Sequence, residues 1–307
     1  MPHDDNVNND KNASSSTLSA SKSQGSRHSF FSVPASVKRI FDKVPLVTYA
    51  ENKLPLRAPR VGSEHLLWIF TSEDGAETGR PSFNPSCLKW QTYLKICAVQ
   101  FRTIPSNNHA SPSGSLPFLM PKERYQSPSE AGTVIPANKL QKWVKENGQR
   151  PEESPDARLE AYLSLVDHSI RRAWLHSLYS TPNFERIVVP NYIHPISTSN
   201  LIQLATAYEL QTAAETELRK FSAIVDVDKL YGDAEQAFEA LESLLADGDW
   251  FFGTSRPSLF DAAVFSYTHL LLDEEVEHKW ADRRLHSLTA TRSRLVAHRN
   301  RILNMYY

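Results

Sequence analysis

A strand–helix–strand succession between residues 65 and 104 constrains the fold of this chain more than any other feature. His65 to Thr71 is a short apolar run that ends at Glu73-Asp74-Gly75, which predicts a buried strand followed by a polar loop. Asn84 and Pro85 are preferred residues at the start of a helix, and Gln100 to Ile104 predicts the next strand. Because such units close right-handed with parallel strands, we expect an α/β layer here.

Two further strands are expected to complete the sheet. Gly114 permits a tight turn, and Leu116-Pro117-Phe118 enters the third strand through a proline that suits a cis bond. A short fourth strand is predicted over Thr133 to Ile135, and a helix over Pro136 to Asn147.

From Pro155 onward the apolar spacing indicates that the chain is almost all helix. We predict helices over Asp156 to Ser180, over Asn200 to Phe221 with Asn200 as the N-cap, and over Tyr231 to Ala246. After an apolar turn at Trp250-Phe251-Phe252-Gly253, Ser258 and Asp261 have the spacing of a capping box for the next helix. The predicted organisation is a Ser/Asn-rich disordered tail (1–36), a linker or docking segment (37–61), an α/β domain (62–150) and a helical domain (151–307).

The end of the tail and the start of the linker are apolar and basic, unlike the residues before them. Its bulky residues are candidates for docking to a membrane surface or a partner groove, since exposed apolar patches mark interfaces. These partner-docking candidates are Phe30, Phe31, Val37, Ile40 and Phe41. The alternative is a linker that packs onto its own domain.

Composition excludes several classes of function. The 34 Lys and Arg against 35 Asp and Glu give a formal net charge of −1, without the basic field that nucleic-acid binding requires. Two cysteines make neither a disulfide framework nor a structural zinc site, and the histidines lack the spacing of metal ligands. No apolar run approaches the roughly 18–20 residues of a membrane span. We expect a soluble or peripheral protein with no metal, no cofactor and no nucleic-acid partner.

The order of elements resembles that of a glutathione-transferase-type fold. Leu116-Pro117 resembles the proline loop of a thioredoxin-like half, and Asp249 to Gly253 followed by Ser258 to Asp261 resembles the buried turn and capped helix of the helical half. The resemblance implies an α/β plus all-α chain, with a thioredoxin-like N-terminal half and a helical C-terminal half.

More specifically, Pro85 to Trp90, Pro105 to Asn108 and Ser111 to Phe118 resemble the metaxin family. Metaxin-like proteins are subunits of the mitochondrial sorting and assembly machinery, which inserts β-barrel proteins into the outer membrane. The resemblance therefore implies a peripheral location on the cytosolic face of that membrane. It implies as partners the barrel-forming core subunit, a second metaxin-like subunit and β-barrel precursors. Among the fungal members, the mass of 34.8 kDa and the missing span favour the smaller, peripheral subunit over the anchored one.

The residues expected of a glutathione or redox site are largely replaced. Asn84 stands where the attacking cysteine of a Cys-Pro-x-Cys motif would be, and an amide is not a nucleophile. Pro136-Ala137 occupies the place of the Glu/Gln-Ser pair that holds glutathione, and offers neither a hydroxyl nor, at the proline, an N–H. We therefore expect no catalytic residue and no enzyme activity. The alternatives are a glutathione-transferase-like or thiol-redox enzyme that uses Ser86 or Cys87, and a cytosolic scaffold unconnected with mitochondria.

Three other groups have simple structural interpretations. Cys87 and Cys97 lie on one predicted helix, about 15 Å apart along its axis, and are expected to be buried apolar residues without a mutual disulfide. Asp261 is expected to be a helix cap and not a general base. The basic C-terminal residues are expected to form a solvated helix face, the alternative being contact with anionic lipid or an acidic partner. They are Arg283, Arg284, Arg292, Arg294, Arg299 and Arg301.

Overall fold

The structure is a computed structural model that describes residues 64–122, 134–149, 156–220, 222, 224–246, 248–274 and 278–307. The predicted tail (1–36) and linker or docking segment (37–61) lie outside these residues. The docking candidates Phe30, Phe31, Val37, Ile40 and Phe41 lie outside them as well, so their role stays a prediction.

The described elements follow the predicted order, with a sheet first and helices after it. The strands are β1 (His65–Ile69), β2 (Phe101–Pro105), β3 (Phe118–Met120) and β4 (Ile135–Pro136). The helices of the sheet-bearing part are α1 (Glu73–Thr78), α2 (Pro85–Ile96) and α3 (Ala137–Asn147). The later helices are α4 (Leu159–Ser164), α5 (Arg171–Tyr179), α6 (Asn200–Arg219), α7 (Val227–Leu245), α8 (Leu259–Leu272), α9 (Arg284–Ala290) and α10 (Ser293–Tyr306), with π-helical segments at Leu165–Ile170 and Phe184–Ile193.

The four strands form one mixed sheet in the order β2-β1-β3-β4. β1 pairs in parallel with β2, as the strand–helix–strand prediction requires, while β3 pairs antiparallel with both β1 and β4. The Leu116–Pro117 bond before β3 is cis, and Gly114 has a positive φ of 76°, so both turn predictions are confirmed. This is the thioredoxin-like half.

The helical half buries one continuous core against the sheet-bearing half. The most extensive contact between elements is that of α2 with α8, a helix buried along nearly its whole length. Leu88 on α2 belongs to the core of the helical half, and Ala262 on α8 belongs to the core of the sheet-bearing half. Because each core includes a residue from the other half, burial of apolar surface stabilises both halves together.

Several sequence predictions need correction in detail. The predicted loop at Glu73-Asp74-Gly75 is the first turn of α1, because Ser72 caps that helix by accepting a hydrogen bond from Gly75 N. The predicted helix over Asp156 to Ser180 begins at Leu159 and contains a π-helical segment.

The other helix starts also shift. α6 has Ser199 and not Asn200 at its N-cap, with no side-chain capping bond. α7 starts at Val227, four positions before the predicted Tyr231, because the Asp226 carboxylate caps it by accepting from Lys229 N at 3.0 Å. Sequence periodicity locates helix interiors better than their first residues, since capping is decided by single side chains.

Candidate functional site

The N-terminus of α2 is the position at which a thioredoxin-like fold carries its reactive group. Asn84 caps the helix through its side-chain oxygen, which accepts from Cys87 N at 3.2 Å, and Pro85 takes the first helical position. Ser86 is exposed, and the described residues provide no side-chain base in hydrogen-bond contact with its hydroxyl. The helix start therefore matches the sequence prediction residue by residue.

The thiol of Cys87 lies in the core and not at a reactive surface. Its side chain is fully buried, and both it and Cys97 are free and buried, as predicted. Burial raises the pKa of Cys87 to about 12, against smaller opposing contributions from the Phe70 backbone and the Ser82 side chain. Because the thiolate is the reactive form of cysteine, this side chain is an inert thiol near neutral pH.

A tyrosine from the helical half covers the space beside the α2 N-terminus. The Asn84 amide donates a hydrogen bond to the Tyr192 hydroxyl at 3.3 Å, and that hydroxyl donates to the Phe83 carbonyl at 3.2 Å. The Tyr192 ring packs edge-on against Phe70 and Phe83, with centroid distances of 5.0 and 5.1 Å. Burial is the largest of the causes that raise the pKa of Tyr192 well above its usual value. The hydroxyl therefore stays protonated and keeps its hydrogen bonds with Asn84 and Phe83.

Tyr192 lies between two of the helices predicted from the sequence, on a segment that none of them covers. Its buried residues Phe184, Ile187 and Val188 have helical spacing, and this is the signal that could have found it. Pro190 lies inside the segment and argues against a regular helix. The chain adopts a π-helical backbone there.

The residues that carry the metaxin resemblance build the loop before β3. The Asn108 side chain accepts from Leu116 N at 3.0 Å, and the Asn107 side chain accepts from His109 N at 3.0 Å. Ser111 donates from its hydroxyl to the Ser115 carbonyl at 2.7 Å. These bonds satisfy backbone groups in an irregular loop and fix the approach to the cis proline.

The helix α3 starts at Ala137, one residue after the predicted start at Pro136. Pro136 is its N-cap residue, with no side-chain capping bond, and Ala137 is its first helical residue. A carboxylate held at this helix start would find backbone N–H groups but neither a hydroxyl nor a carboxyl from these two side chains. The arrangement lacks the side chains with which the fold holds the γ-glutamyl end of glutathione.

Asp261 at the start of α8 is a structural group, and its role is larger than the predicted cap. The capping box with Ser258 is confirmed, the Ser258 backbone N–H and hydroxyl donating to the carboxylate at 2.8 and 2.7 Å. The carboxylate also accepts from Phe251 N at 3.1 Å and contacts His298 Nε2 at 2.9 Å. Asp261 and His298 are both fully buried, so this pair joins the Trp250 turn, α8 and α10.

Three of the basic C-terminal residues form ion pairs within the chain. Arg284 pairs with Asp282 at 2.7 Å, Arg292 with Glu242 at 3.5 Å and Arg301 with Asp249 at 2.8 Å. Arg299 is half-buried, and burial is the largest cause of its lowered pKa. Less of this positive charge is therefore free to attract an acidic partner surface.

An apolar strip is exposed on the first turns of α6. Its members are Leu201, Leu204 and Tyr208, which are 81%, 69% and 66% exposed and lie on one helix face. The neighbouring Ile202 is 49% exposed. α6 has no basic residue before Arg219. Large apolar side chains at this spacing on a helix surface are typical of a protein contact.

Among the described residues, no group of three or more His, Cys, Asp or Glu side chains is placed to hold a metal ion. None of the helices within the described ranges combines the length and the hydropathy needed to cross a bilayer.

The fold and the two domain matches define the class of protein. Residues 85–184 match the model of the glutathione S-transferase N-terminal domain, and residues 234–302 match that of the glutathione S-transferase C-terminal domain. The chain therefore has a glutathione-transferase-like fold with matching N- and C-terminal domains, in agreement with its thioredoxin-like sheet and helical C-terminal half. No curated protein is significantly similar to it in sequence.

Solved structures of a beta-etherase and of glutathione transferases are also similar, at low identity. The beta-etherase LigF of Sphingobium is 14% identical with a TM-score of 0.45, over 78% of this chain and 94% of that one. The glutathione transferase GSTFuA3 of Phanerochaete chrysosporium is 14% identical with a TM-score of 0.45, over 76% and 97%. The glutathione transferase F7 of Populus trichocarpa is 13% identical with a TM-score of 0.43, over 78% and 92%.

Proposed function

We propose that the chain is a non-enzymatic subunit of the mitochondrial outer-membrane sorting and assembly machinery, the smaller, peripheral metaxin-like one. In this role it works on the cytosolic face of the outer membrane and aids the recognition and insertion of β-barrel precursors. Its partners are the barrel-forming core subunit, a second metaxin-like subunit and the precursors, and it lies against the outer-membrane surface.

The observation that carries the proposal is that the N-terminus of α2 lacks the groups with which a glutathione transferase acts. A glutathione transferase needs a hydroxyl or thiolate that is activated by this helix end, together with an anchor for the peptide. Here Asn84 is bonded to the buried Tyr192, Cys87 is an inert buried thiol, and Pro136-Ala137 replaces the anchor. The chain is well packed but lacks the groups that a glutathione site requires. This combination supports a role in contacts with other proteins.

The apolar strip on α6 gives the proposed subunit a surface for a partner. Leu201 and Leu204 are exposed on a helix whose side chains are neutral or acidic up to its last residue. Anionic lipid headgroups attract basic faces, so this strip suits the apolar surface of another protein better than a lipid surface. We assign it to contact with a protein subunit of the machinery.

Charging this strip is expected to release the chain from its complex without unfolding it. The double variant Leu201→Glu with Leu204→Glu places two carboxylates in the contact, and recovery of partner subunits should fall by about tenfold or more. The measurement is quantitative copurification from outer membranes, with the melting temperature of each variant recorded.

Ala213→Glu is the matched control, since Ala213 is exposed further along the same helix. It should leave both recovery and melting temperature unchanged, because exposed substitutions shift stability little. Equal recovery of partner subunits with the double variant and with the control would show that the strip is not part of the interface.

The enzymatic alternative has one favourable observation, the exposed hydroxyl of Ser86 at the helix start. We expect no glutathione binding by titration calorimetry and no conjugation of an electrophilic substrate. Thiol reagents should label Cys87 and Cys97 only after denaturation, because both side chains are buried. Conjugation that is lost in Ser86→Ala or Cys87→Ala would establish the enzyme and overturn the proposal.

A further inference from the structure

The helix α3 is amphipathic and turns a row of lysines outward. Lys139, Lys142 and Lys145 are all exposed, and they recur at every third position, so they lie on one side of the helix. The opposite side is apolar, with Leu140 and Val144 fully buried in the core of the sheet-bearing half. The packing of α3 on the sheet therefore leaves its charged side to solvent or to a partner.

Two lysines of this side are not engaged in ion pairs. Among the residues that the structure describes, neither Lys139 nor Lys142 forms one. Elsewhere basic side chains are paired, as Arg171 is with Glu217 at 2.9 Å. The acidic residue of α3 is Glu146, so three lysines and one glutamate leave the helix a formal excess of two positive charges. This excess contrasts with the net charge of −1 of the whole chain.

A partly exposed tryptophan borders the lysines. The Trp143 ring packs edge-on against His65, with the ring centroids 5.0 Å apart. His65 Nδ1 accepts from Lys122 N at 3.1 Å, so the backbone of a fourth exposed lysine lies beside the His65 ring. Glu64 is exposed at the neighbouring position and offsets part of the charge. An indole ring among lysine side chains is typical of the boundary between a membrane and water, because both side chains combine an apolar part with a polar end.

The other candidate surfaces suit lipid headgroups less well. The α6 strip is apolar, and its helix has no basic residue before Arg219. In the basic C-terminal group, Arg292 and Arg301 already pair with Glu242 and Asp249. Anionic headgroups attract surfaces whose positive charge is not compensated. Of these three described surfaces, the exposed side of α3 meets that requirement best.

We propose that the lysine face, formed by Lys122, Lys139, Lys142 and Lys145 with Trp143, docks the chain on a membrane that contains anionic phospholipids. The ammonium groups contact headgroup oxygens, and the Trp143 ring lies at the level of the headgroups. The inference rests on the proposed function, because it supplies the contact with the outer membrane that a peripheral subunit makes. It leaves the α6 strip for a partner protein.

The test is cosedimentation of the purified full chain with lipid vesicles. Vesicles of equal parts phosphatidylcholine and phosphatidylserine are the probe, and vesicles of phosphatidylcholine alone are its matched control. The chain should bind the anionic vesicles about tenfold or more tightly than the neutral ones, and added salt should weaken that binding. Equal binding to both kinds of vesicle, or binding to neither, would overturn the proposal.

Charge-neutral variants then locate the contact. Lys139→Gln with Lys142→Gln should weaken binding to the anionic vesicles by about tenfold or more. Lys220→Gln with Lys229→Gln is the matched control, because it removes the same charge from two exposed positions at the end of α6 and the start of α7. It should bind as the parent chain does. An equal loss in both double variants would mean that only the overall charge matters, and the lysine face would not be the docking surface. A melting temperature for each variant separates lost binding from lost folding.

Failure of this inference can be told apart from failure of the proposed function, because vesicle binding is measured without the other subunits. A chain that copurifies with partner subunits but does not bind anionic vesicles would overturn the lysine face and leave the subunit assignment intact. A chain that binds anionic vesicles through this face but is recovered alone from outer membranes would support the lipid contact and contradict the subunit assignment. Loss of partner subunits in Lys139→Gln with Lys142→Gln, at unchanged vesicle binding, would assign the face to an acidic protein surface instead.

Discussion

Replacing Asp261 with alanine is expected to lower the free energy of unfolding by about 3–5 kcal/mol, the largest stability effect we predict for a single substitution. The carboxylate accepts from Phe251 N, Ser258 N and the Ser258 hydroxyl, and it contacts His298 Nε2. All of these contacts are buried. The alanine variant leaves several buried donors without an acceptor, which costs more than the loss of one capping bond. Urea denaturation followed by circular dichroism measures the change.

Asp226→Ala is the matched control, because Asp226 also caps a helix through one carboxylate oxygen, but at an exposed site. Its loss is expected to cost about 1 kcal/mol, the usual range for an N-cap. If both variants lost the same small amount, Asp261 would be an ordinary cap. The Asp261–His298 pair, which joins the Trp250 turn, α8 and α10, would then contribute little to the free energy of unfolding.

The second large effect is a loss of stability between about pH 7 and pH 5 that is carried by His269. Burial is the main cause that lowers the pKa of this imidazole from 6.5 to about 3, with Arg299 adding to it. In that pH range the unfolded chain takes up a proton on His269 and the folded chain does not, so acid favours unfolding. The free energy of unfolding should fall by about 2 kcal/mol from this group alone, since each pKa unit corresponds to about 1.4 kcal/mol.

The variant His269→Gln removes the titrating group and keeps a polar side chain. Its free energy of unfolding should depend less steeply on pH over the same interval, whatever its absolute stability. His109→Gln, at an exposed position, should retain the slope of the parent chain. Equal slopes for the parent chain and His269→Gln would mean that the imidazole is protonated in the folded state as readily as in the unfolded state.

Local sequence signals predicted the α/β half well because its decisive residues act over short distances. Asn84 and Pro85 start a helix wherever the chain permits one, and Leu116-Pro117 enters a strand through a cis bond. The capping box of Ser258 and Asp261 spans three residues and was recognisable for the same reason. Such signals depend on one turn of backbone and need no knowledge of tertiary structure.

The sites depend on contacts between distant residues and were harder to predict. Tyr192 closes the α2 N-terminus from more than a hundred positions away, on a segment whose Pro190 conceals its helical character. The apolar spacing of α6 gave no sign that Leu201 and Leu204 face outward, because periodicity identifies an apolar face but not what covers it.

The most direct test of the proposed function is copurification of the tagged full-length chain from mitochondrial outer membranes solubilised in mild detergent. The account predicts recovery of a barrel-forming membrane protein together with a second metaxin-like chain. It also predicts that the purified complex shows no conjugation of glutathione. Recovery of the chain alone, or its presence in the supernatant after mitochondria are sedimented, would contradict the assignment as a subunit.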